Sequence, residues 1–80
     1  MHLNSDLIKE LEILAGFNLS TMAGIKVHKE ADPEIIAAVE RLHAKRVLTQ
    51  EDGGYLTDLG LEVAEYVQSA VRILVTPSAI

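Results

Sequence analysis

Apolar residues recur at three- and four-residue spacing near the start of the chain. The positions that share one helix face are Leu7, Leu11 and Leu14. Asn4 or Ser5 can cap the start of this helix, because side-chain oxygens accept hydrogen bonds from the free N–H groups of a first turn. Gly16 follows the last apolar position and is typical of a helix end. The pattern predicts an amphipathic helix between these two boundaries.

A second helix is predicted to begin at Pro33. Asp32 caps it, and proline suits the first helical position because its missing N–H has no intrahelical acceptor. The predicted core side consists of Ile35, Val39 and Leu42. The predicted outward side consists of Glu34, Ala37, Arg41, Ala44 and Lys45. Before this helix, residues 25–28 alternate apolar and polar side chains, so they are either a short strand or the tail of another helix, and we favour the strand.

The stretch after the second helix predicts a β-hairpin that leads directly into a long helix. Residues 47–50 and 54–57 pair across a turn formed by Glu51-Asp52-Gly53, where glycine tolerates a positive φ. Thr57 caps the last helix, which runs over residues 58–75 and is stopped by Pro77. The fold class is therefore mainly α with a small β-hairpin (α+β), in one domain over residues 1–80.

Apolar residues occupy two sides of the last helix. The first stripe is Leu59, Val63, Tyr66, Ala70 and Ile73, and the second is Ala64, Val67, Val71, Leu74 and Val75. The first stripe is expected to cover the core of so small a domain, and the second then predicts a homodimer in which it meets its own copy. The expected dimer interface comprises Leu59, Val63, Tyr66, Val67, Ala70, Val71 and Leu74.

Composition limits the classes of function. The net charge is −5, which argues against nonspecific binding to polyanions, and only residues 26–46 carry a net positive charge, of +1. There is no cysteine, which excludes a disulfide framework and a thiol nucleophile and fits a reducing cytoplasm. We expect a cytoplasmic protein, because no apolar run is long enough for a signal sequence or a membrane span.

No residue pattern identifies a reaction. His2, His28 and His43 lack the spacing of a metal site, so neither a metal nor another cofactor is expected. The sequence contains no glycine-rich phosphate loop and no nucleophile elbow. We therefore expect a protein that is not an enzyme.

Two motifs around the hairpin resemble the winged helix-turn-helix superfamily, in particular MarR-like and PadR-like regulators. Residues 41–48 (RLHAKRVL) are similar to a "RLxxKGLI" helix end, and residues 54–60 (GYLTDLG) are similar to "YLTxxG". The whole chain also resembles a small bacterial family that carries "GIKVH" and "GGYLTDLGLEAAE", with members labelled DNA-binding or transcriptional regulators. These resemblances imply a winged helix with a long C-terminal helix, acting as a dimeric regulator of transcription. The nucleic-acid contacts they imply are Lys26, Lys29, Arg41, Lys45 and Arg46.

Three features depart from the superfamily pattern and support an alternative function. The hairpin tip carries Glu51 and Asp52, which phosphates repel, where DNA-binding relatives often carry cations. Arg46 stands where the second helix usually ends in glycine. If residues 25–28 are a strand, the helix before the recognition helix is reduced to a single turn. The alternative is a protein–protein interaction module, for instance for another regulatory protein, that keeps the fold without the DNA-binding face.

Overall fold

The computed structural model describes residues 2–76. Its elements are α1 (Ser5–Ala15), β1 (Ile25–Lys26), α2 (Pro33–Ala44), β2 (Leu48–Gln50), β3 (Gly53–Leu56) and α3 (Asp58–Val75). The α+β class, the hairpin and the long C-terminal helix are thus confirmed. Pro77, the predicted stop of the last helix, lies outside the described residues.

Each helix begins at a capping side chain that the sequence analysis proposed, and of the two candidates for α1 the cap is Asn4 and not Ser5. Asn4, Asp32 and Thr57 accept hydrogen bonds from backbone N–H groups two or three residues further on, at 2.8, 2.8 and 3.0 Å. These bonds satisfy donors that a first helical turn leaves without partners. At the other end of α1, Gly16 is the C-terminal cap, as expected.

The three strands form an antiparallel sheet in the order β1-β3-β2. Ile25 pairs with Gly54, which confirms the strand interpretation for the first two residues of the 25–28 stretch. Gly54 has a φ of +74°, and a Cβ there would lie 2.3 Å from Oγ1 of Thr49, so only glycine fits this close pairing. Residues 17–24, between α1 and β1, form turns and contain no helix.

A single core lies between the helices and the sheet. Its buried side chains are Leu14, Phe17, Val39, Leu42, Val47, Leu48 and Ala64. The first two turns of α3 lie against the backbone that links α2 to the sheet. A Cβ on Gly60 would come within 2.1 Å of the carbonyl oxygen of Val47. This contact fixes the rotation of α3, because the side of the helix that carries Gly60 must face the domain.

Candidate functional site

Two cations of the expected recognition helix converge on one buried carboxylate. Nε of Arg41 donates a hydrogen bond to Oε2 of Glu10 at 2.9 Å, and Nζ of Lys45 donates to the other carboxylate oxygen. Arg41 also donates to the backbone carbonyl of Asp6 at 3.2 Å. Glu10 is 4% exposed, so this carboxylate depends on its two partners rather than on water.

The ionisation of Glu10 reflects a balance of opposing effects. Burial of the carboxylate raises its pKa, while the hydrogen bonds and positive charges of Lys45 and Arg41 lower it. The attractive interactions prevail, and the pKa of Glu10 lies below its usual value of 4.5. Glu10 is therefore charged at neutral pH and holds α1 against α2.

The position of Arg41 and Lys45 differs from the expectation that both lie on an outward face of α2. Helix α1 packs against α2, and the carboxylate of Glu10 on α1 reaches both cations. The side chain of Lys45 is still 54% exposed and that of Arg41 31% exposed. Their assignment as DNA contacts stays a prediction.

Glu10 is the important residue that the sequence analysis missed. It lies three residues after Leu7 and four before Leu14, on the apolar face of α1. A carboxylate in such a stripe indicates a buried charge, and a buried charge requires a partner. The sequence could have shown this signal, although not the identity of the partners.

The remaining expected cations are exposed and lie at two ends of the sheet, Lys26 and Lys29 near the hairpin tip and Arg46 at the hairpin base. Lys26 pairs in register with Gly53 near the acidic tip, and Lys29 follows in the next loop. Arg46 precedes β2 at the opposite end, where its carbonyl accepts a hydrogen bond from Oγ1 of Thr57 at 2.5 Å. Its φ of +64° is unusual for a residue other than glycine.

A small recess of about 230 Å³ lies between the hairpin tip and α2. Both cationic and acidic side chains line this recess. Residues 2–76 hold no group of three His, Cys, Asp or Glu suited to a metal ion. The side chains that line it belong to Val27, His28, Lys29, Ile36, Val39, Glu40, Glu51 and Asp52.

The outer face of α3 carries large apolar side chains in contact with solvent. Leu59 is 48% exposed, Tyr66 is 67% exposed and Ile73 is 71% exposed. All three belong to the first apolar stripe, which was expected to cover the core. That expectation is wrong for these three residues, because α3 turns Ala64 and Val67 of the second stripe towards the domain, and only Val63 of the first stripe packs there with them. Val63 and Val67, both expected interface residues, pack against the core instead.

The last turns of α3 extend past the domain body. The side-chain amide of Gln68 donates to the carbonyl oxygens of Leu14 and Phe17 at 3.1 and 2.7 Å, which ties α3 to the end of α1. Every described residue beyond Ser69 is exposed. Leu74, which belongs to the second stripe, is 82% exposed, so both stripes reach solvent in this projecting segment.

The chain belongs to the family of unknown function DUF5669, whose sequence pattern matches residues 1–75. No curated protein matches the chain, and no solved structure does. None of the helices within residues 2–76 combines the length and the apolar character that crossing a membrane requires.

Proposed function

We propose that this member of DUF5669 is a homodimeric protein-interaction module with a winged-helix-like fold, and that it does not read DNA through α2. The exposed apolar face of α3 is the observation that carries the proposal. Each large side chain that remains in water forgoes about 1.5–3 kcal/mol of burial, and a partner helix removes that loss. Such a face on an 80-residue domain favours an interface between subunits.

The winged-helix assignment is supported by the order of elements around α2. A short strand precedes the helix, a hairpin follows it, and the first strand pairs with the second strand of that hairpin. The hairpin takes the place of a wing and α2 that of a recognition helix. The turns at residues 17–24 take the place of the helix that would normally precede the recognition helix.

The surroundings of Arg41 and Lys45 weigh against DNA binding through α2. Both cations already neutralise Glu10, and moving them to phosphates would leave a buried carboxylate with weaker partners. Lys26 and Arg46 lie at opposite ends of the hairpin, with acidic residues at its tip. A protein partner, either a second copy or another regulatory protein, suits this surface better than a phosphate backbone.

Sedimentation of the wild type and two charge variants tests the homodimer. Ile73→Glu places a carboxylate on the exposed stripe and should give a monomer at concentrations where the wild type is dimeric. Ile8→Glu is the matched control, because Ile8 is 43% exposed on α1, away from the proposed interface, and should leave the dimer intact. A wild type that stays monomeric from micromolar to near-millimolar concentration would refute the proposal.

A salt titration of DNA binding tests the other half of the proposal. We expect wild-type protein to show at most weak affinity that disappears as salt rises, because the charge that would hold phosphates is sparse. Binding at moderate salt that is selective for sequence and is lost in the Arg41→Ala, Lys45→Ala double variant would instead assign α2 to DNA recognition.

A further inference from the structure

The recess between the hairpin tip and α2 combines an apolar floor with an acidic rim. Its apolar side chains are buried or half-buried and belong to Val27, Ile36 and Val39. Its carboxylates are exposed and belong to Glu40 on α2 and to Glu51 and Asp52 in the hairpin turn. A ligand that enters the recess therefore meets carboxylates first and aliphatic groups beneath them.

The three carboxylates of the rim have no cationic partner among the described residues. Every ion pair within residues 2–76 uses a carboxylate of α1 instead. Among the described residues, Lys29 is the only Lys or Arg that lines the recess, and it pairs with none of the three. The recess thus carries an excess of negative charge, which attracts a cation and repels a phosphate group.

The backbone holds the walls of the recess together before any ligand arrives. The N–H of Val27 donates a hydrogen bond to the carbonyl oxygen of Asp52 at 2.8 Å, which joins the segment after β1 to the hairpin tip. Val39 belongs to the buried core, and Val27 packs against that core. A preformed recess loses little freedom on binding, so most of the interaction energy contributes to affinity.

The volume of the recess limits what can fill it. At about 230 Å³ it is smaller than the roughly 300–1,000 Å³ of typical small-molecule sites. A single long side chain suits this space, with its methylene groups on the apolar floor and its charged end at the rim.

The arrangement of the carboxylates favours arginine over lysine. They come from two elements, α2 and the hairpin tip, and a planar guanidinium directs N–H donors towards more than one side. An ammonium group is more compact and more strongly hydrated, so it gains less from a partly apolar recess.

We propose that the recess binds an arginine side chain from a basic segment of a partner protein. The inference rests on the proposed role in protein interaction and adds a second surface and the chemistry of the partner. This surface is separate from the outer face of α3, since no residue of α3 lines the recess. The net charge of −5 favours a basic partner over the whole chain as well.

An NMR titration of the isotope-labelled whole chain tests the inference. The probe is the blocked tripeptide acetyl-Gly-Arg-Gly-amide, and the control peptide replaces arginine by citrulline, which has a similar shape and no charge. We expect saturable shifts that centre on the amides of Val27, Glu40 and Asp52. The citrulline peptide should bind at least about fivefold more weakly, because it cannot form charge-assisted hydrogen bonds to the rim.

Two double variants locate the binding site. Glu40→Gln with Asp52→Asn should weaken binding of the arginine peptide about tenfold. Both positions are exposed, and Asn-Gly suits a hairpin turn as well as Asp-Gly does, so the fold is preserved. The matched control, Glu62→Gln with Glu65→Gln, removes the same charge from exposed positions on α3 and should leave the affinity within about twofold.

Three results would overturn the inference. Equal affinity for the arginine and citrulline peptides would show that the rim recognises no guanidinium. Equal weakening by the two double variants would show attraction to the net charge alone. A lack of saturable shifts at millimolar peptide would show that the recess binds no arginine, and the sedimentation test of the homodimer would be unaffected by that result.

Discussion

Replacement of Arg41 by methionine tests whether this cation stabilises the fold or serves an external ligand. Methionine keeps an unbranched apolar side chain on α2 and removes the guanidinium. The variant loses the 2.9 Å hydrogen bond to Glu10 and the 3.2 Å bond to the backbone of Asp6. Lys45 stays in place, so the buried carboxylate keeps one of its two cations.

The stability lost in Arg41→Met follows from the burial of the Glu10 carboxylate, which accepts the hydrogen bond. A hydrogen bond to a charged group contributes about 1.5–3 kcal/mol, more than a surface ion pair at about 0–1 kcal/mol. The side chain of Glu10 is 5% exposed but that of Arg41 is 31% exposed, so we expect the lower part of the first range, about 1.5–2 kcal/mol. That loss is substantial for a chain of this length, whose total stability is about 4–12 kcal/mol.

Urea unfolding followed by circular dichroism measures the effect. All variants are compared at one protein concentration, because dimerisation would otherwise change the apparent stability. Lys26→Met is the matched control and should cost less than about 0.5 kcal/mol, since Lys26 is an exposed cation without an ion pair among the described residues. In a Glu10→Leu background, Arg41→Met should also cost little, because its partner is already absent.

The same ion pairs predict a dependence of stability on pH. The pKa of Glu10 is lower in the folded state than its usual value of 4.5. The carboxylate therefore contributes its full stabilisation above about pH 4.5 and loses it as the pH falls through the lowered pKa of the folded state. Glu10→Gln should therefore show a smaller loss of stability on acidification than the wild type does.

Two results would refute the reasoning. A loss of stability in Arg41→Met equal within error to that in Lys26→Met would show that the guanidinium is effectively solvated. An equal cost of Arg41→Met in the Glu10→Leu background and in the wild type would locate its effect outside this ion pair.

The remaining predictions concern two backbone positions and are read from thermal unfolding. Gly60→Ala should lower the free energy of unfolding by ~2 kcal/mol or more, because the added Cβ would lie 2.1 Å from the carbonyl oxygen of Val47. Gly16→Ala is the control and should change stability little, because the nearest atom to its added Cβ is 3.5 Å away. An unchanged melting temperature for Gly60→Ala would contradict the close packing of α3. Arg46→Gly should stabilise by about 1 kcal/mol, because glycine adopts a φ of +64° without strain, and a lower melting temperature would disprove this account.

Local structure followed from short-range signals that the sequence contains in full. The three helices are capped by Asn4, Asp32 and Thr57, because each side chain accepts a hydrogen bond from a backbone N–H group two or three residues away. The hairpin followed in the same way from an acidic turn that ends in two glycines with positive φ, flanked by short apolar segments. Such interactions depend on neighbours in the chain and not on the rest of the fold.

Only the tertiary structure decided which face of each helix is covered. Periodicity identified two apolar stripes on α3 and gave no physical ground for assigning the first to the core, and the contact between Gly60 and the backbone at Val47 turned Ala64 and Val67 of the second towards the domain instead. On α2, the distant Glu10 turned two apparently outward cations into partners of α1. These choices join residues 13 to 35 positions apart in the chain. A helical wheel contains no information at that range, because the face that is buried depends on which other element packs against it.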